Sequence, residues 1–223
     1  NKPKSDTNND ANKYDLNLEK ELLRSILKSD AKNYHAWSHY HWILRTYKLY
    51  DDELEYLEKK LLLYDVRNNS AWNHRHFVVK QTTGFNDIKI LQREIDFCRK
   101  KIQHLATNHA VWYYYTQIVT QYLKKLCQND NEQKDESSSS STTTTTTTTW
   151  SEQRQEQIKW IQSVIDKQPY APRASLFYID LLTDKDNTNI NDLNQAKAIL
   201  AQLSEKIDRI RYNYYGYLIK VVE

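Results

Sequence analysis

The chain has 223 residues, with 32 basic and 29 acidic side chains and a net charge of +3, too even a balance to mark a nucleic-acid surface. Only two glycines and three prolines are present, which argues against a turn-rich β protein and favours helix. No apolar run approaches the ~20 residues of a membrane span, and the opening NKPKSDTNND is not a secretory signal. The two cysteines, Cys98 and Cys127, suit a reducing compartment rather than a disulfide framework, so a cytoplasmic location is expected.

Residues 1–14 are polar and are expected to be disordered. From Asp15, a plausible N-cap, the pattern turns helical, with Leu16, Leu23, Ile26 and Leu27 on one face. This reads as the return helix of a hairpin, leaving an apolar face for something upstream or a partner to cover. Three related stretches then follow: DAKNYHAWSHYHW at 30–42, DVRNNSAWNHRHF at 65–77 and LATNHAVWYYYTQ at 105–117. Each places an asparagine four residues before a tryptophan, giving the pairs Asn33 and Trp37, Asn68 and Trp72, and Asn108 and Trp112. The asparagine is expected to cap a helix and the tryptophan to pack inside. A repeat of 35 to 40 residues between the tryptophans at 37, 72 and 112, with no strand pattern between, is the signature of stacked helical hairpins.

The return helices fill the intervals. Leu54, Leu57, Leu61 and Tyr64 form one stripe, opening near Asp51 and Asp52. Ile88, Leu91, Ile95, Cys98, Ile102 and Leu105 form a second and cleaner one, with Cys98 as a small core residue. Between them Thr82-Thr83-Gly84 is a turn in which Gly84 takes the left-handed conformation, and Asn86 is the expected cap. The third hairpin's first helix is expected to stop at Cys127. Residues 128–149, ending in SSSSSTTTTTTTT, read as a low-complexity insertion, which costs little in loop entropy, ~0.6 kcal/mol per doubling of length. The array resumes at 150–223, with Leu176, Ile179 and Leu182 on one helix, then Leu193, Ala196, Ile199 or Leu200, Leu203, Ile207 and Ile210, and an aromatic capping segment, RYNYYGYLIKVVE. The fold class is therefore all-α, an α-α superhelix or solenoid of antiparallel hairpins, similar to a tetratricopeptide array.

Catalytic signatures are sparse. The sequence has no glycine-rich phosphate loop, no GxSxG and no CxxC pair. His35 and His39 share a helix face at i, i+4, but no carboxylate lies at matching spacing, so no metal site is expected. His39 with His41, and His74 with His76, lie two apart and diverge on a helix; surface or interface positions are expected for the histidines. Trp42 is a candidate exposed interface anchor. The residues alone imply an interaction scaffold.

DAKNYHAW, DVRNNSAWNHRHFVV and the TTGF turn closely resemble the repeats of the α subunit shared by protein farnesyltransferase and protein geranylgeranyltransferase type I, over roughly residues 15–220. The resemblance implies a crescent of helical hairpins wrapped around a β subunit. That β subunit would hold the zinc which activates the cysteine thiol of a C-terminal CaaX sequence, as on small GTPases, and magnesium would assist the complex. Tyr34 and His35 match the loop facing the diphosphate end of the isoprenoid, where a phenol and an imidazole can donate hydrogen bonds; packing against β is the alternative role. Arg75 matches a family arginine that could pair across the β interface. Tyr40 departs from the arginine common at its position. The family's catalytic lysine belongs to a repeat before Asp30 that this chain does not contain, so no catalytic residue is assigned within it. Poor prenyl transfer is expected of this chain with β. The alternatives are the α subunit of the Rab geranylgeranyltransferase and a non-catalytic helical-repeat scaffold.

Overall fold

The computed structural model describes residues 15–136, 149–183 and 189–222. Among these residues every regular element is helical, as the composition led one to expect. The expectations for residues 1–14 and for 137–148 of the insertion lie outside the described residues. The chain divides into two compact units, residues 1–81 and 82–223.

The first unit contains α1 (Leu16–Ser29), α2 (Tyr34–Tyr47), α3 (Glu53–Tyr56) and most of α4 (Asn69–Thr83). Asp15 caps α1, accepting from the amides of Asn17 and Leu18 at 3.0 and 3.2 Å. Helices α1 and α2 pack together, burying Leu23 and Leu27 against Trp37, Tyr40, Ile43 and Leu44 as a core. The return stripe departs from expectation. After one turn, α3 widens into a π turn, Leu57–Leu61, closed by the Leu62 amide bonding the Leu57 carbonyl at 2.8 Å. A π turn inserts one residue into the helical register. Leu62 is therefore buried, whereas Tyr64, expected on the inner stripe, is 81% exposed.

The second unit contains α5 (Ile88–His104), α6 (His109–Glu136), α7 (Trp150–Lys167), α8 (Pro172–Leu182), α9 (Ile190–Gln202) and α10 (Tyr212–Val222). The α5 stripe is as read: Leu91, Ile95, Cys98 and Ile102 are fully buried. Its cap is Asp87 rather than Asn86, accepting from the Lys89 and Ile90 amides, because Gly84 and Phe85 both take positive φ and carry the turn one residue further. Helix α6 does not stop at Cys127 but runs to Glu136; residues 128–136 contain neither glycine nor proline to end it. Pro172 opens α8, where its missing amide costs nothing. A core of Ile179, Ala196, Leu200, Leu203 and Tyr215 joins α8, α9 and α10. Ile210, expected on that face, is 98% exposed, because a second π turn, Leu203–Ile207, and a 3-10 turn, Arg209–Arg211, break the helical register before it.

Candidate functional site

The repeated motif builds the same local structure three times. The Asn33 side chain accepts from the Ala36 amide at 3.0 Å, Asn68 from Ser70 at 3.0 Å, and Asn108 from Ala110 at 3.1 Å. The tryptophans donate their indole N–H to the carbonyl six residues back: Trp37 to Ala31 at 3.0 Å, Trp72 to Val66 at 2.8 Å and Trp112 to Ala106 at 2.7 Å. Each indole thus ties the loop to the helix it precedes, and the buried N–H is satisfied.

Tyr34 and His35 open α2 immediately after the Asn33 cap. Tyr34 is 75% exposed, His35 is exposed as well, and their rings meet edge-to-face at 5.6 Å. The first turn of α2 carries no acidic residue, so the positive end of the helix dipole is not offset there. Two turns on, Trp42 is 50% exposed, stacks on His39 at 5.6 Å and meets Tyr47 at 6.1 Å. His39 in turn bonds Glu19 on α1 at 2.8 Å. The exposed side of α2 is thus aromatic, and a contact from α1 fixes His39.

Behind it lies a buried polar cluster that the sequence did not announce. Glu53, fully buried, receives the Tyr40 hydroxyl at 2.8 Å, Arg24 Nη2 at 2.7 Å and His74 Nε2 at 2.9 Å, with Lys20 Nζ at 2.9 Å. Asp52 bonds Lys20 at 2.5 Å and Arg24 at 2.7 Å. Burial pushes the Glu53 carboxyl upward, but the His74 hydrogen bond and the hydrogen bond and charge of Lys20 hold it at about 2. The Arg24 hydrogen bond, outweighing the effect of burial, holds Asp52 well below the carboxylate range. His74 Nδ1 lies 2.8 Å from His41 Nε2. Since a carboxylate only accepts, the His74 proton belongs on Nε2, Nδ1 accepts, and His41 donates. Burial first, then neighbouring positive charge, lowers His41 to about 4, and burial lowers His74 too. Both rings are neutral at pH 7.

Arg75, expected at the β interface, is 3% exposed within this chain. One expectation is corrected. His74 is buried, not a surface histidine, because it is held by Glu53, 21 residues earlier. The departure at Tyr40 also has a structural counterpart. The guanidinium absent from position 40 arrives from α1 instead, Arg24 Nε donating to the Tyr40 hydroxyl at 2.8 Å while its guanidinium lies 4.2 Å over the Tyr56 ring. The second unit repeats the device. Tyr115 donates to Gln157 at 2.7 Å and Arg99 to the same oxygen at 3.0 Å, with Arg99 4.8 Å over the Trp160 ring. In both cases the arginine stands thirteen residues before the repeat tryptophan (24 and 37, 99 and 112) and the tyrosine three after it. That spacing was the available signal.

Residues 16–47 and 50–82 match the protein prenyltransferase alpha subunit repeat. Residues 16–82 are thus similar to prenyltransferase α-subunit repeats. The third copy of the motif lies beyond the matched residues, yet it forms the same cap and indole bond as the two matched prenyltransferase repeats. No curated protein sequence matches the chain. Among solved structures, Candida albicans protein geranylgeranyltransferase-I complexed with GGPP is similar, with a TM-score of 0.71 and 22% identity over 95% of this chain. At that identity the likeness concerns the fold. The chain spans 61% of the length of that structure's chain.

Proposed function

We propose that this chain serves as α-subunit repeats of a heterodimeric CaaX protein prenyltransferase, in which a β subunit accepts the aromatic side of α2. The observation that carries the reading is the exposed Tyr34–His35 pair, within a matched repeat and at the start of α2, a helix end with no acidic residue in its first turn. A phenol and an imidazole so placed donate hydrogen bonds to a leaving diphosphate, an interaction worth most as charge develops on the departing oxygen. In this reading the zinc that activates the acceptor thiol belongs to the β subunit. Magnesium would act on the diphosphate in the assembled complex. Whether the isoprenoid is farnesyl or geranylgeranyl is then the choice of β.

Co-expression with a farnesyl- or geranylgeranyl-type β subunit, followed by transfer of labelled isoprenoid to a CaaX peptide, tests this. A stable heterodimer is expected. Tyr34→Phe and His35→Ala should each lower the rate of transfer roughly tenfold or more at saturating substrate, with heterodimer assembly unchanged. Failure to pair with either β subunit overturns the reading. Loss of pairing rather than of turnover would reassign Tyr34 and His35 to packing.

A further inference from the structure

The second unit holds a small basic cavity of about 240 Å³, lined by Pro172, Arg173, Leu176, Arg211 and Tyr214. It is smaller than the ~300–1,000 Å³ usual for drug-sized ligands. Its two cations differ in how they are held. Arg211, in the turn before α10, is anchored to Asp208, which also accepts the Tyr215 hydroxyl at 2.8 Å. Tyr215 is fully buried, so this anchor is rooted in the core of the unit, and the guanidinium keeps further N–H donors after serving Asp208. Arg173, in the first turn of α8, is exposed and forms no ion pair among the described residues. Burial, and after it the charges of Arg173 and Arg211, lower the His109 ring at the start of α6, against the one opposing charge, Asp208. Two positive side chains against one acid leave the cavity with a net positive charge, and Tyr214, half exposed, supplies a phenol at its edge.

We propose that this cavity binds a phosphoryl group, with Arg173 and Arg211 as its two forks and the Tyr214 hydroxyl as a further donor. The chemistry is that of guanidinium with phosphate: two planar donors matching the oxygens of a dianion. Asp208 acts as the positioning residue for Arg211. The ligand is either free phosphate or a phosphorylated side chain, and the site uses no residue assigned to prenyl transfer above.

Titration of the whole chain with inorganic phosphate, and separately with a phosphoserine peptide, distinguishes the two sources, followed by calorimetry and by the His109 ring resonances. Saturable binding that shifts those resonances is expected in at least one arm, weakened about tenfold or more by Arg173→Gln and less by Tyr214→Phe. Arg209→Gln, an exposed arginine outside the cavity lining, should leave it unchanged. Binding of phosphate assigns a free-anion site; binding of the peptide alone assigns a phosphorylated side chain. No saturable binding in either arm, or equal loss with Arg173→Gln and Arg209→Gln, overturns the proposal. Arg173 is exposed, so unchanged circular dichroism is expected for its variant.

Discussion

Glu53 is where the first unit concentrates its charge. A buried carboxylate survives only when paired and hydrogen-bonded, and here it has two cations, a phenol and an imidazole within 2.9 Å. Removing it leaves Lys20 with Asp52 and the Leu49 carbonyl, and Arg24 with Asp52 and the exposed Glu21. Glu53→Gln should therefore cost about 3 kcal/mol or more, measured by urea unfolding followed by circular dichroism; a cost below ~1 kcal/mol would show that the cluster is far more hydrated than its geometry implies. The histidines give a pH dependence of definite sign. His41 is lowered to about 4 in the folded chain against ~6.5 unfolded, so between those values the unfolded state binds more protons and stability falls as pH is lowered. Its contribution, complete above pH 6.5, is lost down to about pH 4. After allowing for solvent screening of a half-buried ring, this amounts to about 2 kcal/mol. Urea midpoints of the native chain should fall from pH 7 to pH 5 more steeply than those of His41→Asn.

At the scale of the element, the repeat is a loop stapled to its own helix. Trp112 is 1% exposed and closes its staple at 2.7 Å; Trp112→Ala should cost about 3–5 kcal/mol, readable as a lowered melting temperature. The turn into α5 makes a second prediction. Gly84 has a φ of +58°, and an added Cβ would stand 3.0 Å from Asn86 Nδ2. Gly84→Ala should thus destabilise by about 1 kcal/mol, a drop of roughly 2–4 °C in a chain of this size, whereas the same exchange at Gly216, where nothing lies within 4 Å, should be neutral or stabilising.

For the molecule as a whole, Trp42 and Arg75 should behave oppositely. Trp42 is half exposed on the aromatic side of α2 and Arg75 is enclosed. Trp42→Ala is expected to leave the melting temperature within about 2 °C of the native value while weakening the proposed heterodimer about thirtyfold, the ~2 kcal/mol of an interface anchor. Arg75→Ala should lower the stability of the chain itself. Equilibrium pairing with β, measured beside thermal unfolding, separates the two.

Much of this was legible in the residues because it is local. An asparagine reaching an amide two or three residues ahead is set by one turn of chain, so spacing alone exposed it, along with the packing of the tryptophan; the indole bond to a carbonyl six residues back appeared only in the structure. Spacing alone exposed the α5 stripe as well. The buried cluster was not legible. Lys20, Arg24, Asp52 and Glu53 have the composition of a solvated helix face, and His74 that of a surface histidine. What buries them is the meeting of helices whose contacts span 13 to 33 residues, and the π turns that shift the stripes are decided by that packing too. Sequence by itself determined the helical repeat and its asparagine caps at 33, 68 and 108, because those rest on short-range hydrogen bonding and periodicity, and its motifs carried the resemblance to prenyltransferase α-subunit repeats. Only the tertiary structure decided which charges are withdrawn from water, since desolvation depends on neighbours that periodicity does not name.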